Sequence, residues 1–177
     1  MNYGALTVSN STFSGNSATA NGGAILNAGP LTVVTNTTFL NNNANAGGAI
    51  ANTGNGPVVV TNSTFSGNRA VSGGAISNAG ALTVTNSTFS SNSATANGGA
   101  IANVGGTATA TNSTFSGSSA ASGAAFSNIS NGGSFTVTNV GGPEKARKNG
   151  PHVGHAFGGR DFGGVFFLSA CSASRSR

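Results

Sequence analysis

The sequence predicts an all-β protein, a right-handed parallel β-helix (a solenoid) with three strands per coil and about five to six coils. Three observations carry that expectation. An Asn-Ser/Thr-Thr-Phe element recurs at residues 10–13, 36–39, 62–65, 86–89 and 112–115. A Gly-Gly-Ala-Ile element follows at 22–25, 47–50, 73–76 and 98–101, and relaxes to Gly-Ala-Ala-Phe at 123–126. Short alternating segments such as Leu82-Thr83-Val84-Thr85 precede the Asn-Ser/Thr-Thr-Phe elements, and a sixth, Phe135-Thr136-Val137-Thr138-Asn139, opens a further coil. The period is 24 to 26 residues.

Each repeat holds three short β-like segments separated by Asn, Gly and Ser turns, and none has an apolar period of helical type. Three strands of about five residues with their turns use about 25 residues, one coil of a stack whose neighbours lie about 4.8 Å apart. The right hand is expected from the twist that fixes parallel crossovers. Residues 1–142 form the repeats, and 143–177 are a basic, Gly- and Ser-containing tail, either disordered or a partial cap through Val165, Phe166, Phe167 and Leu168.

Alternation assigns the faces. Leu82 and Val84 point inward, and Thr83 and Thr85 outward. The Phe of each repeat points in, so Phe13, Phe39, Phe65, Phe89 and Phe115 are expected to stack in one core column. Ile25, Ile50, Ile76, Ile101 and Phe126 form a second. Each buried Phe or Ile stabilises by about 1.5–3 kcal/mol. Two residues past the second column stand Asn27, Asn52, Asn78, Asn103 and Asn128, expected to hydrogen-bond from coil to coil as a structural ladder. Three residues past the Phe column stand Asn16, Asn42, Asn68 and Asn92, with Ser118 in the fifth place.

Composition excludes several functions. Charged residues are 5% of the 177, against about a quarter in ordinary globular domains. The net charge of +5 belongs to the tail, because Arg69 is the one charged side chain between Met1 and Gly142. Nucleic-acid binding needs a clustered basic face with stacking aromatics, which the repeats lack. Acid–base or nucleophilic catalysis needs a titrating side chain, and residues 1–142 contain no Asp, Glu, His, Lys or Cys. The expectation is therefore no enzyme, with no catalytic residues, no cofactor and no metal. His152, His155 and the single Cys171 in the tail do not complete a metal-ligand set. No apolar run approaches the roughly 20 residues of a transmembrane helix, and Met1–Gly4 shows no signal-peptide pattern. Five Asn-Ser/Thr-Thr triplets and Asn128-Ile129-Ser130 match the glycosylation pattern, but the repeat accounts for the first five Asn as turn residues.

Phe13-Ser14-Gly15-Asn16 paired with Gly22-Gly23-Ala24-Ile25, and its later copies, resembles the repeats of polymorphic outer-membrane proteins. These are β-helical passenger domains of autotransporters, similar to other bacterial surface proteins of the pectin-lyase-like β-helix type. The resemblance covers about residues 4–140. It implies export, surface display and adhesion, hence an extracellular or outer-membrane-surface location as part of a longer exported protein.

Two functional expectations follow. The first is a structural, adhesin-like display segment with a host-surface or glycan ligand. The second is binding of ice or glycan through an outward row formed by Thr12, Thr38, Thr64, Thr88 and Thr114. Ser14, Ser66, Ser90 and Ser116 lie beside that row, and Leu40 interrupts them. The exposed strand edges of a short stack are also expected to invite edge-to-edge self-association.

Overall fold

The alternating segments become one parallel sheet because five of the six place two apolar side chains on the same inner face, while Leu31–Thr35 places buried Thr32 there beside Val34. The computed structural model describes residues 1–129 and 133–140. In it, Ala5–Ser9, Leu31–Thr35, Val58–Thr61, Ala81–Thr85, Thr107–Thr111 and Ser134–Thr138 form a six-stranded parallel sheet in chain order. Val34, Val60, Val84 and Ala110 of this sheet are completely buried. Outward-facing Thr83 is exposed and Thr85 half-buried, as alternation requires.

Thr12–Ser14, Thr38–Leu40, Thr64–Ser66, Thr88–Ser90 and Thr114–Ser116 form a second sheet. Ile25–Asn27, Ile50–Asn52, Ile76–Asn78, Ile101–Val104 and Phe126–Ile129 form a third. Each strand pairs in parallel with its equivalent one repeat away, Phe on Phe and Ile on Ile, with Phe126 on Ile101 at the end. The result is an all-β parallel β-solenoid of three sheets and about five turns.

Three details depart from the sequence reading. Sheet-to-sheet offsets are mostly 24 to 26 residues, but Asn139 stacks on Asn112 at 27. A fourth side is partly paired: Arg69–Ser72 and Ser93–Asn97 make a two-stranded ribbon, continued by single bridges such as Ser17 to Asn43 and Ser93 to Ser119. Alternation explains it, since Ala70 and Ala94 turn inward and are buried. The second and third sheets are built from strands of three or four residues, shorter than the five expected. The tail residues His152, His155, Cys171, Val165, Phe166, Phe167 and Leu168, and the 142/143 boundary itself, lie outside the described residues.

The corners are made by left-handed residues. Asn10, Asn36, Asn62, Asn86 and Asn112 sit at φ of 49° to 51°, turning the chain from the first sheet into the second, and Asn139, after the last strand of the first sheet, has φ of 51°. Asparagine tolerates this region better than other residues with a Cβ. At the next corner the same demand is met by Gly15, Asn41, Gly67, Ser91 and Gly117.

Candidate functional site

The phenylalanine column sits at the centre. Phe13, Phe39, Phe65, Phe89 and Phe115 stack nearly parallel, with ring centroids 4.6 to 5.2 Å apart. Coil spacing fixes that separation. At the C-terminal end Phe126 turns edge-on to Phe115 at 62° and packs against Phe135.

Two asparagine ladders flank the core. Asn27, Asn52, Asn78, Asn103 and Asn128 are linked amide to amide, each Nδ2 donating to the next Oδ1 at 2.8 to 3.0 Å. Four of the five are buried, the exception being Asn128 in the last coil. The same Nδ2 groups also donate to carbonyls of the following turn, such as Gly80 and Gly106. Asn2 extends this ladder by one rung, its Nδ2 lying 2.9 Å from Asn27 Oδ1. Its spacing of 25 residues before Asn27 was a signal for it, but no Gly-Gly-Ala-Ile element marks the coil it closes.

In the second ladder Asn16, Asn42, Asn68 and Asn92 repeat one motif. Asn42 Oδ1 accepts the Asn16 backbone N–H and Nδ2–H, and Asn68 Oδ1 accepts the equivalent pair from Asn42. Asn42, Asn68 and Asn92 Nδ2 also donate back to the Phe carbonyl one coil earlier, each at 3.0 Å. Buried amides need every such partner, because an unsatisfied buried group costs about 1–3 kcal/mol.

A third ladder, of hydroxyls, was not foreseen. In the Asn-Ser/Thr-Thr-Phe element the second residue turns inward: Thr37, Ser63, Ser87 and Ser113 are buried. Ser63 Oγ donates to Thr61 O at 2.8 Å and accepts the Thr37 backbone N–H at 3.2 Å, and Ser87 and Ser113 repeat the pattern. The restriction of that position to Ser or Thr in all five copies was the available signal.

These ladders hold the outward rows in register. Thr12, Thr38, Thr64, Thr88 and Thr114 are strand partners in sequence, four of them exposed and Thr38 half-buried. Ser14, Leu40, Ser66, Ser90 and Ser116 lie beside them, with Ser90 Oγ donating to Ser66 Oγ at 3.1 Å. Around the asparagine corner a second, longer row appears: Thr35, Thr61, Thr85, Thr111 and Thr138, continued by Ser9. All candidate site residues read from the sequence therefore fall on three straight lines: Phe inside, Asn27-type amides buried at a turn, and Thr12-type hydroxyls outside. Arg69 is the one charged side chain among the described residues. Among the described residues no group of His, Cys, Asp or Glu could hold a metal ion, and no helix is long and apolar enough to cross a membrane.

Such an arrangement defines a class: a repeat solenoid locked by internal ladders, with an outer face of hydroxyls and amides on which, among the described residues, Arg69 is the one charged side chain. Residues 10–28, 62–79 and 86–104 match the family model of the Chlamydia polymorphic membrane protein repeat. Three segments of the chain thus match polymorphic membrane protein repeats, and all three lie within the β-solenoid. No curated protein and no solved structure matches it.

Proposed function

We propose that this segment acts by display: a non-catalytic, adhesin-like β-helix that holds a polar, nearly uncharged surface away from a bacterial cell, outside it or at its outer membrane. The observation that carries this reading is the in-register row Thr12, Thr38, Thr64, Thr88 and Thr114 between the asparagine corner and the serine row. Hydroxyls and amides repeat once per coil, about 4.8 Å apart. A neutral glycan presents hydroxyls at comparable density and is the ligand class that suits such a surface, with many weak bonds adding through multivalency. The match of three segments to a repeat model named for a membrane protein supports the location. The lack of Asp, Glu, His, Lys and Cys in residues 1–142 supports the absence of catalysis.

The test is binding of the labelled chain to a glycan array and to epithelial cells, with Thr38, Thr64 and Thr88 changed together to lysine. Binding that is saturable and lost in the triple variant, while the melting midpoint holds, supports the reading. Saturable binding indifferent to the triple change would remove the threonine row from it, and no binding at all would remove the adhesin role.

The regular threonine spacing favours a second reading, binding to ice. Thermal hysteresis of the purified chain separates the two: freezing-point depression abolished by Thr64→Lys points to ice, and its absence leaves the glycan reading in place.

A further inference from the structure

We infer that the two ends of the solenoid are chemically unequal: the N-terminal edge is an interaction surface for one more coil of the same repeat, and the C-terminal edge is closed to one. The second asparagine ladder has a direction. Asn16 donates its backbone N–H and Nδ2–H to Asn42 Oδ1 at 3.0 and 2.9 Å, Asn42 donates both to Asn68, and Asn68 donates both to Asn92. Every Oδ1 from Asn42 to Asn92 thus receives two donors. Asn16 Oδ1 receives none and stands exposed on the N-terminal edge. Beside it, Phe13 stacks on one side only, and Leu6, Val8 and Phe13 are half-buried where Val34, Phe39 and Val60 are completely buried. A coil bearing asparagine at the ladder position brings the two missing donors and covers these side chains in one step.

The opposite end differs at three places. Ser118 replaces the ladder asparagine, and its Oγ is buried without a hydrogen-bond partner. Ala124 replaces a glycine that every earlier coil keeps. A Cβ at Gly23, Gly48, Gly74 or Gly99 would lie 2.1 to 2.2 Å from the carbonyl oxygen of the next coil, so only glycine lets a coil stack there. The Ala124 methyl stands exposed where that carbonyl would have to sit. Finally, Phe126 covers the outer face of Phe115 edge-on at 4.3 Å, ending the flat ring stack.

The partner that fits the N-terminal edge is therefore a parallel coil of this repeat carrying asparagine at the ladder position and glycine at the close-approach position. A second copy of this chain does not qualify by its own C-terminal coil, because Ser118 offers no amide and Ala124 carries the obstructing methyl.

The experiment places a copy of residues 36–61, one complete coil, at either end of the full chain and reads the thermal midpoint by far-UV dichroism. Inserted before Asn10, the copy should raise the midpoint, by about 2–4 °C for each kcal/mol the new interface contributes. Inserted after Thr138, it should leave the midpoint unchanged or lower it, and S118N with A124G in the same chain should restore the gain. An equal rise from both insertions, or no rise from the N-terminal one, would overturn the inference. Sedimentation of the unaltered chain gives an independent reading. Open-ended head-to-tail polymers would show that the C-terminal edge is not closed, whereas their absence up to high concentration is expected.

Discussion

Replacing Asn68 with aspartate changes one atom and should give this protein a pH dependence that its coils otherwise lack. Asn68 Oδ1 accepts the Asn42 backbone N–H and Nδ2–H, and Asn68 Nδ2 donates to Phe39 O and Asn92 Oδ1. A carboxylate keeps both acceptor roles but loses both donations, leaving two buried oxygens facing a negative charge. Asn92 Oδ1 keeps the Asn68 backbone N–H, so each acceptor loses one donor and an uncompensated charge is buried against both, a loss of about 3–5 kcal/mol at neutral pH. The protonated acid restores one donor, so the loss at low pH should shrink to about 1–3 kcal/mol. Burial and two facing oxygens raise the aspartate's folded pKa above its unfolded value. Its contribution is then most favourable below the unfolded pKa, near about 4, and is lost as pH rises through the folded one. The slope between those limits cannot exceed about 1.4 kcal/mol per pH unit for one proton. Urea midpoints from pH 3 to pH 8 measure it. The unaltered solenoid should be flat over this range, since residues 1–142 contain no carboxylate or imidazole side chain. A variant as flat as the parent, or a parent as steep as the variant, would refute the ladder argument.

Four further outcomes follow from the packing. Phe65→Ala should cost about 3–5 kcal/mol, because the middle ring of the stack has neighbours at 4.7 and 4.6 Å and is completely buried. Thr64→Ala, one residue away and outward, should stay within about 0.5 kcal/mol, and equal losses by chemical denaturation would mean the faces are misassigned. Gly74→Ala should unfold or loosen the chain, since its Cβ would lie 2.1 Å from Gly99 O. A normal melting midpoint for that variant would show that the coils can move apart there. Ser118→Asn should stabilise by about 1 kcal/mol by replacing an unpartnered hydroxyl with the next rung. A destabilised Ser118→Asn chain would show that the last coil cannot present the amide in line.

What could be read from the sequence was whatever repeats at one period. Phe13 to Phe115, Asn27 to Asn128 and Thr12 to Thr114 each recur in a fixed place, so parallel stacking alone puts them in rows, and alternation says which rows are inside. The hydroxyl ladder of Ser63, Ser87 and Ser113 stayed hidden because alternation is broken at the asparagine corner. One left-handed residue reverses the inward-outward count, so the residue after Asn62 turns in. The short ribbon at Arg69–Ser72 was hidden for another reason: its segment varies between copies, and only two of them pair over more than single bridges. The longer threonine row, Thr35 to Thr138, was partly visible in the outward assignment of Thr83 and Thr85. Its continuity needed the register of all six strands, because Val33 and Val59 interrupt the neighbouring positions.

The spacing along the ladders varies while the rows stay straight, and this makes the molecule tolerant to added sequence at particular places. Successive rungs are 24, 25 or 26 residues apart, yet their amide contacts stay between 2.8 and 3.0 Å. The surplus residues are taken up in the turns, as at Thr53–Pro57, where Asn55 is exposed and lies outside every strand. Closing a longer loop costs little, about 0.6 kcal/mol for each doubling of its length. The solenoid can therefore carry foreign loops at that turn as a shelf carries objects of different depth, each coil keeping its height while its outline changes.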